Sequence, residues 1–480
     1  MNHERDISNA ENIEVVSTLL IDAIREGTQL IRAIIEKGTR ISTYHEWTSL
    51  SVNKNKVPSL NTSHFSGPPE YRNCFHSYSG TPAIIESEVE SFKTFVKFVV
   101  SDLNLLEKLN PFKIPVDEYK THDLRDSILL SIIKDGIERY LHIYKDEGFS
   151  EANAKIIVDQ ILNYYFATIL DIDIVVPILF IDFEFNSWDI GNNIEIRRLT
   201  ELEQMSRASV KSTNASVSEH VLSSASHAVV FKNWEVKNTD NYSHYLHDIN
   251  TYPLAQIDKF FAAIRIVKPI DTGYAQVLAV AKSWFHHCKA DLPHIEGVST
   301  RSYSSKLEDY YWNVPALPMI SGDEMKKIAD IFNRLYDCTE NAINLSIKRL
   351  NQCLIREAEE DSVLDATIAF EALLSDDGNQ EMTHKLAMRV AALAKFDISF
   401  DKTPQEAFKD IKAIYSHRSA IVHGSKNLSK KRVLRLADNT EITTLSLAIE
   451  YLRFVLSTLV KNPEFRTPQI IDQNLLLGKK

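Results

Sequence analysis

Two residues near the end of the chain have the types and the spacing for phosphodiester chemistry. Arg418 and His423 lie five positions apart in the segment YSHRSAIVHG, residues 415–424. An arginine guanidinium presents a rigid fork of N–H donors that matches a phosphate and stabilises the charge developing on it. An imidazole, whose ordinary pKa is ~6.5, can accept and return a proton near neutral pH. RNA supplies its own nucleophile, the 2′-hydroxyl, so this pair can promote RNA cleavage without a metal ion.

Helix geometry limits how the two side chains can meet. Five residues of an α-helix separate Arg418 and His423 by about 140° around the axis, so they cannot share one narrow stripe. They can flank one groove, because the arginine side chain is long and Gly424 allows the helix to end. By itself the pair is more often a solvated arginine and a histidine at a helix end, so its interpretation depends on its surroundings.

A locally basic segment surrounds the pair. The chain has a net charge of −11, which argues against a broad nucleic-acid-binding surface and restricts such binding to a local site. From Ile411 to Leu436 there is no acidic residue. The basic residues of this segment are Lys412, Arg418, Lys426, Lys430, Lys431, Arg432 and Arg435. We expect Lys426, Lys430, Lys431 and Arg432 to bind the RNA backbone; the alternative is an ordinary solvated loop.

Glu371 is a carboxylate on the apolar face of a predicted helix. Burying a lone carboxylate there is costly, so Glu371 needs a cationic partner. If the partner is Arg418, Glu371 holds that side chain or orients His423. If the partner is Arg389, the pair is a structural bridge, and the sequence favours neither partner.

The elements that must position these residues are mainly helical. Residues 1–172 read as a mainly helical N-terminal region with a long, turn-rich loop at 50–83 that has room for short strands. The helices expected from apolar periodicity there are 11–37, 86–108, 122–145 and 150–170. Residues 173–250 alternate at period two in DIVVPILFIDFEF, NIEIRRL and HAVVFKNWEV, which predicts a small β-sheet with a serine-rich loop.

Helical periodicity then returns. AQIDKFFAAIRIV and YAQVLAVAKSWFHH predict connecting helices over residues 251–318. Ser321 and Glu324 form a capping-box pattern that opens a helical bundle over residues 319–465. The bundle begins with a predicted helix of about 30 residues, and its later helices are expected at 361–375, 382–396, 404–423 and 439–461. The predicted fold class is mainly α, with a small central β-sheet insertion (α+β) and a C-terminal helical bundle.

Residues of about 320–462 resemble the HEPN superfamily, most closely its ApeA-like branch. The resemblance is carried by VLDATIAFEALL, HKLAMRVAAL and IYSHRSAIVHG, in that order, between two long outer helices. The superfamily's motif, an arginine and a histidine separated by four to six residues, maps onto Arg418 and His423. The residue after the arginine is often Asn, Asp or His in this superfamily, whereas here it is Ser419. A serine can still hydrogen-bond a phosphate or orient the histidine.

The resemblance implies an HEPN-type bundle acting as a metal-independent endoribonuclease, in which two copies pair across one cleft. The candidate catalytic residues are then Arg418, His423, Glu371 and Ser419, and Tyr415 and His417 are candidates for RNA contact. The implied partners are RNA, a second copy of the chain and a phage-derived trigger, in an anti-phage or abortive-infection effector with an upstream sensing module. The alternative is a catalytically silent bundle that serves dimerisation or binding of RNA or another partner.

Other classes of function lack support in the sequence. There is no GxxxxGK[ST], GxGxxG, GxSxG or HExxH motif, and no cofactor or metal is expected. The four cysteines form no CxxC pair, and neither a signal peptide nor a membrane span is predicted. We therefore expect a cytoplasmic protein. Carboxylates on the predicted strands, Asp182 and Glu184, are only loosely like a metal-dependent nuclease core.

Overall fold

The computed structural model describes most of the chain. The described residues are 2–41, 47–63, 71, 74–76, 82–110, 122–145, 147–210, 217–239, 242–286, 291–313, 316–376, 381–426, 428–435 and 439–478. Among the helices in these ranges, none is both long enough and apolar enough to cross a membrane.

The N-terminal region is a set of helices with its own apolar core. Its elements are α1 (Asn2–Glu36), β1 (Trp47–Val52), β2 (Pro58–Ser63), α2 (Glu90–Ser101), α3 (Leu103–Lys108), α4 (His122–Tyr144) and α5 (Glu151–Phe166). All four predicted helices are confirmed, and the one at 86–108 is divided at Asp102, whose carboxylate caps α3. Within the predicted loop at 50–83, β1 and β2 form an antiparallel hairpin; other parts of that loop lie outside the described residues. Val16, Phe92 and Ile133 belong to the core of these helices.

A six-stranded antiparallel sheet occupies the centre of the chain. The elements of this part are β3 (Ile169–Leu179), β4 (Asp182–Phe183), β5 (Ser187–Gly191), β6 (Ile194–Arg198), α6 (Glu201–Arg207), α7 (Glu219–Ser223), β7 (Ala225–Lys237), α8 (Tyr242–Leu246), α9 (Leu254–Val267), β8 (Tyr274–Ala281), β9 (Ile295–Ser302) and α10 (Lys306–Asn313). The strand order is β5-β6-β7-β3-β8-β9, with β3 paired to both β7 and β8. The strands predicted at NIEIRRL and HAVVFKNWEV and the first part of DIVVPILFIDFEF are present in this sheet, whereas Asp182–Phe183 pairs with Met319–Ile320 in a separate two-stranded sheet.

The sheet is larger than the sequence predicts, because residues 251–318 are not only connecting helices. The helix expected at AQIDKFFAAIRIV is confirmed as α9, but YAQVLAVA forms strand β8, and β9 follows it. β8 lies between β3 and β9 and is buried on both faces over most of its length, so it shows no alternation of apolar and polar residues. Its alanine, leucine and glutamine residues favour helix by intrinsic propensity, and pairing within the sheet overrides that preference.

The C-terminal third consists of packed helices. Its elements are β10 (Met319–Ile320), α11 (Gly322–Tyr336), α12 (Asn341–Cys353), α13 (Glu359–Leu374), α14 (Met382–Phe396), α15 (Pro404–Val422), α16 (Leu428–Lys431), β11 (Val433–Arg435), β12 (Glu441–Thr443), α17 (Thr444–Lys461) and α18 (Pro468–Ile471). The capping box of Ser321 and Glu324 is confirmed at the start of α11. The helices predicted near 361–375, 382–396, 404–423 and 439–461 correspond to α13, α14, α15 and α17.

The predicted helix of about 30 residues is wrong, because α11 and α12 are separate helices. The break lies between Tyr336 and Asn341. Lys259 of α9 donates its Nζ to the carbonyl oxygens of Tyr336 and Cys338, each at 2.9 Å. The buried ammonium thereby pairs with carbonyls that the interrupted helix leaves without their usual partners.

The sheet and the C-terminal helices share one apolar core. α9 packs on α11, α12 and α17, and α17 also packs on α13 and α15. Val176 on β3, Phe260 on α9 and Phe332 on α11 all belong to this core. The fold is therefore mainly helical around a six-stranded sheet, and the C-terminal helices that carry the candidate site are buttressed by α9.

Candidate active site

α15 carries the candidate residues and begins and ends at defined positions. Thr403 and Glu406 form a capping box at its start, with Pro404 in the first turn. At its end, Gly424 has a left-handed backbone with φ of +58°. The Gly424 N–H donates to the Ile421 carbonyl at 3.3 Å, and the Ser425 N–H donates to the Ala420 carbonyl at 2.9 Å. This is the Schellman pattern, which stops the helix at His423.

Arg418 and His423 both reach the surface at this end of α15. The Arg418 side chain is 36% exposed, and His423 is exposed immediately after the last helical residue. The Nε–H of Arg418 is buried and finds no acceptor among the described residues, whereas its Nη2 faces the carboxylate of Glu371. Ser419 is exposed between the two candidates.

The structure places Glu371 beside Arg418. Arg418 Nη2 lies 3.8 Å from Glu371 Oε1, a separation longer than a hydrogen bond. The carboxylate therefore attracts the guanidinium without occupying its N–H donors. Arg389, the other candidate partner, instead pairs with Asp376 at 2.8 Å and Asp472 at 2.6 Å.

Tyr415 and His417 are placed in the interior. Tyr415 is 5% exposed and donates its hydroxyl to the Thr367 carbonyl at 3.2 Å. Burial, together with the nearby Glu371 carboxylate, raises the pKa of Tyr415 well above its ordinary value, so the residue remains a donor. His417 is 2% exposed, and burial lowers its pKa. Neither side chain is exposed for direct contact with RNA.

Some cations of the basic segment are exposed, and others are paired with neighbouring groups of the protein. Lys426 and Lys430 are exposed. Lys431 donates its Nζ to the Ser416 carbonyl at 3.3 Å, which ties the segment to α15. Arg432 lies 2.5 Å from a carboxylate oxygen of Glu359 at the start of α13.

Glu359 lies next to the candidate site, and the sequence did not single it out. It is one of three consecutive acids, with Glu360 and Asp361, in the first turn of α13. This acidic run at the start of an apolar helix could have indicated the pairing, because a basic segment folded against the same helices needs negative charge nearby. Its pairing with Arg432 leaves the exposed lysines as the cations most available to a phosphate backbone.

Asp182, one of the carboxylates on the predicted strands, makes structural contacts. Asp182 accepts a hydrogen bond from Ser226 at 3.0 Å and lies 3.4 Å from Arg198. In the part of the chain that the structure describes, no group of three or more His, Cys, Asp or Glu side chains is arranged to hold a metal ion.

The arrangement at the end of α15 is chemically suited to an anionic ester. Within the described residues, it offers a guanidinium whose terminal nitrogens donate no hydrogen bond, an exposed imidazole at the end of the same helix and exposed ammonium groups in the segment that follows. Comparison of the chain with protein-family models, curated proteins and solved structures gives no match.

Proposed function

We propose that this chain is a metal-independent endoribonuclease in which Arg418 and His423 are the catalytic residues. The observation that carries the proposal is the exposure of both side chains at the Schellman end of α15, beside Glu371 and the lysines of the basic segment. A guanidinium and an imidazole are the two functions that cleavage by the RNA's own 2′-hydroxyl requires.

The proposed reaction is a transesterification within the RNA. The 2′-hydroxyl loses its proton to a general base and attacks the adjacent phosphorus, while the bond from phosphorus to the 5′-oxygen breaks and that oxygen receives a proton. His423 serves one of these two proton transfers, and Arg418 stabilises the charge on the phosphorane oxygens. The products carry a 2′,3′-cyclic phosphate and a 5′-hydroxyl, and no metal or cofactor takes part.

The proposed catalytic unit is an HEPN-type bundle that pairs with a second copy of the chain. Two exposed valines, Val422 at 51% and Val433 at 44%, lie in the same part of the sequence as His423. Apolar side chains next to a catalytic surface are suited to burial against a partner copy. Pairing two copies there brings two arginines and two histidines to one RNA-binding cleft.

The remainder of the chain is proposed to sense a trigger and restrain cleavage. A ribonuclease active in the cytoplasm of its own host would damage that host, and an anti-phage or abortive-infection effector would act only on a phage-derived signal. The separate apolar core of α1–α5 supports this assignment, because a region with its own core can respond as a unit.

A second candidate function is a catalytically silent bundle for dimerisation or binding of RNA. The observation that favours it is Ser419, which stands where the superfamily often has Asn, Asp or His. In this case the same basic surface binds RNA but does not cut it.

Alanine variants separate the two functions. Arg418→Ala and His423→Ala should each lower RNA cleavage by about 100-fold or more, since each removes a group acting on the transition state. The matched controls are Arg334→Ala and His244→Ala, which change an exposed arginine and an exposed histidine elsewhere. Cleavage should persist in EDTA. Equal cleavage by all five proteins, or loss of cleavage on chelation, would refute the proposal.

A further inference from the structure

A pocket lined mainly by polar and charged side chains lies where the sheet meets the C-terminal helices, and none of its described lining residues belongs to α15. Its volume is about 410 Å³, which is within the range of small-molecule sites. Its walls come from α9, from the β8–β9 end of the sheet and from α12 with the turn that follows it. The cationic residues in these walls are Arg265, Arg301, Lys348 and Arg356.

Arg265 is a buried cation with incomplete hydrogen bonding. It is 3% exposed, and one terminal nitrogen donates to the Asn351 side-chain oxygen while the other donates to the Thr272 carbonyl at 2.8 Å. Both acceptors are neutral, and the Nε–H has no acceptor among the described residues. Burial lowers the pKa of Arg265 to about 10. A buried guanidinium without a direct counter-ion is costly, and an anion in the pocket would remove that cost.

Arg207 shows how the same fold treats a buried arginine that has only a structural role. Arg207 is fully buried and, among the described residues, also has no carboxylate partner. Its Nε and both terminal nitrogens donate to Gln204, Gln276 and the carbonyls of Leu222 and Ser223. Arg265 differs because one donor is left over and because its side chain borders a pocket.

The rim of the pocket adds further positive charge. Lys348 is exposed there and has no ion-pair partner within the described ranges. Arg301 is 38% exposed and lies 3.3 Å from both Glu308 and Glu357. Those pairs are solvent-exposed and therefore weak, so an incoming anion can compete for Arg301.

Two carboxylates, Glu357 and Asp258, also line the pocket, and they offset only part of its positive charge. Glu357 is engaged with Arg301. Burial raises the pKa of Asp258, although Arg265 and Lys348 act in the opposite direction. Arg356 is paired with Asp365 of α13 at 3.0 Å and so contributes less than the other cations.

We propose that this pocket binds a small organic or inorganic phosphate, held by Arg265 at its base and by Arg301 and Lys348 at its rim. A phosphate oxygen accepts N–H donors from several directions, which suits one buried guanidinium and two exposed cations. The pocket is large enough for a nucleoside diphosphate as well as for pyrophosphate, so the shared chemistry is the phosphate group. This site is independent of the proposed cleavage at Arg418 and His423.

Binding is tested on the full chain by isothermal titration calorimetry, with inorganic pyrophosphate and ADP as separate probes. Lys348→Ala and Arg301→Ala are the test variants, because both side chains are exposed and neither belongs to the core. Each should weaken binding about tenfold, which is the loss of one charge-assisted contact. Lys326→Ala removes an exposed lysine of α11 outside this pocket and should bind like the wild type.

Comparing the two probes also shows whether the ligand is a nucleotide or a free phosphate compound. Tighter binding of ADP assigns a nucleotide ligand, and equal or tighter binding of pyrophosphate assigns a free phosphate group. No binding of either probe at ~1 mM, or equal binding by the wild type, Lys348→Ala and Arg301→Ala, would overturn the inference. So would a Lys326→Ala protein that loses as much affinity as the pocket variants.

Discussion

At the scale of single residues, the candidate site depends on how Arg418 is held. Glu371 lies close enough to attract the guanidinium but too far to accept a hydrogen bond from it. Both side chains are about one-third exposed, so water screens the attraction and the pair contributes little to stability. The role that remains for Glu371 is to favour one direction of the Arg418 side chain.

Glu371→Gln should reduce RNA cleavage modestly. An exposed ion pair is worth up to about 1 kcal/mol, which corresponds to a loss of about two- to fivefold. Asp361→Asn is the matched control, since it removes an exposed acid from the same helix. Cleavage rates of the three proteins check this role, and a complete loss of activity with Glu371→Gln would instead make Glu371 a proton-transfer group.

His417 should make stability depend on pH. Its pKa in the folded protein is lowered by burial, with Glu359 and Glu360 raising it and Lys431 and Arg432 lowering it further. The unfolded chain therefore binds a proton more readily than the folded one. The contribution of neutral His417 is fully present above the ordinary pKa of ~6.5 and is lost as the pH falls below it.

The pH effect is measured by urea unfolding of the wild type and His417→Gln at two pH values. The difference between their free energies of unfolding should shift against the wild type on going from pH ~7.5 to pH ~5.5. His227, which is also buried with a lowered pKa, is present in both proteins and cancels. A difference that does not change with pH would show that His417 is not the titrating group.

The sequence singles out candidate residues, but it does not show how the side chains around them are packed. Arg418, His423 and Glu371 are recognisable by type and spacing, and Arg418 was one of two partners expected for Glu371. The burial of Tyr415 and His417 was not predictable from their nearness to Arg418 in the chain. Which side of α15 faces inward depends on where α13 and α17 pack, and that is a property of the whole bundle.

At the scale of elements, the end of α15 determines where His423 lies. Gly424 permits the left-handed turn, and no atom outside its neighbours lies within 4 Å of the position that a Cβ would take. A substitution there would therefore act through backbone strain and not through a clash. The same Schellman geometry ends α1, where Gly38 has φ of +85° and also faces open space.

Gly424→Ala and Gly38→Ala form a matched pair. Each places an L-residue in a left-handed conformation and should cost about 1–2 kcal/mol of stability. Only Gly424→Ala should also reduce RNA cleavage, because only that turn positions His423. Thermal unfolding and cleavage rates distinguish the two effects, and an equal loss of cleavage in both variants would show that stability alone is responsible.

At the scale of the whole molecule, the main difference from the sequence prediction is the extent of the sheet. The helices of the first 172 residues and of the last third were predictable, since their apolar residues recur at helical spacing. β8 was not, because a strand covered on both faces loses its period-two pattern. Likewise, Lys259, which donates to the carbonyls at the break between α11 and α12, is distant from them in the sequence.

The shared core joins the sheet to the helices that carry the candidate site. α9 packs against α11, α12 and α17, and it also provides Asp258, Phe261 and Arg265 to the pocket proposed to bind phosphate. The pocket and the candidate active site are therefore built on the same packed unit, whereas α1–α5 have a separate core.

The central claim is that the RNA's own 2′-hydroxyl is the nucleophile, and a 2′-deoxy substitution tests it most directly. After the cleavage site in one RNA has been mapped, the same RNA is made with a single 2′-deoxynucleotide on the 5′ side of the cut bond. We expect the wild-type protein to cut the unmodified RNA to a 2′,3′-cyclic phosphate and a 5′-hydroxyl and to leave the modified bond intact. Cleavage of the modified bond at the same rate, or products with a 5′-phosphate, would contradict it.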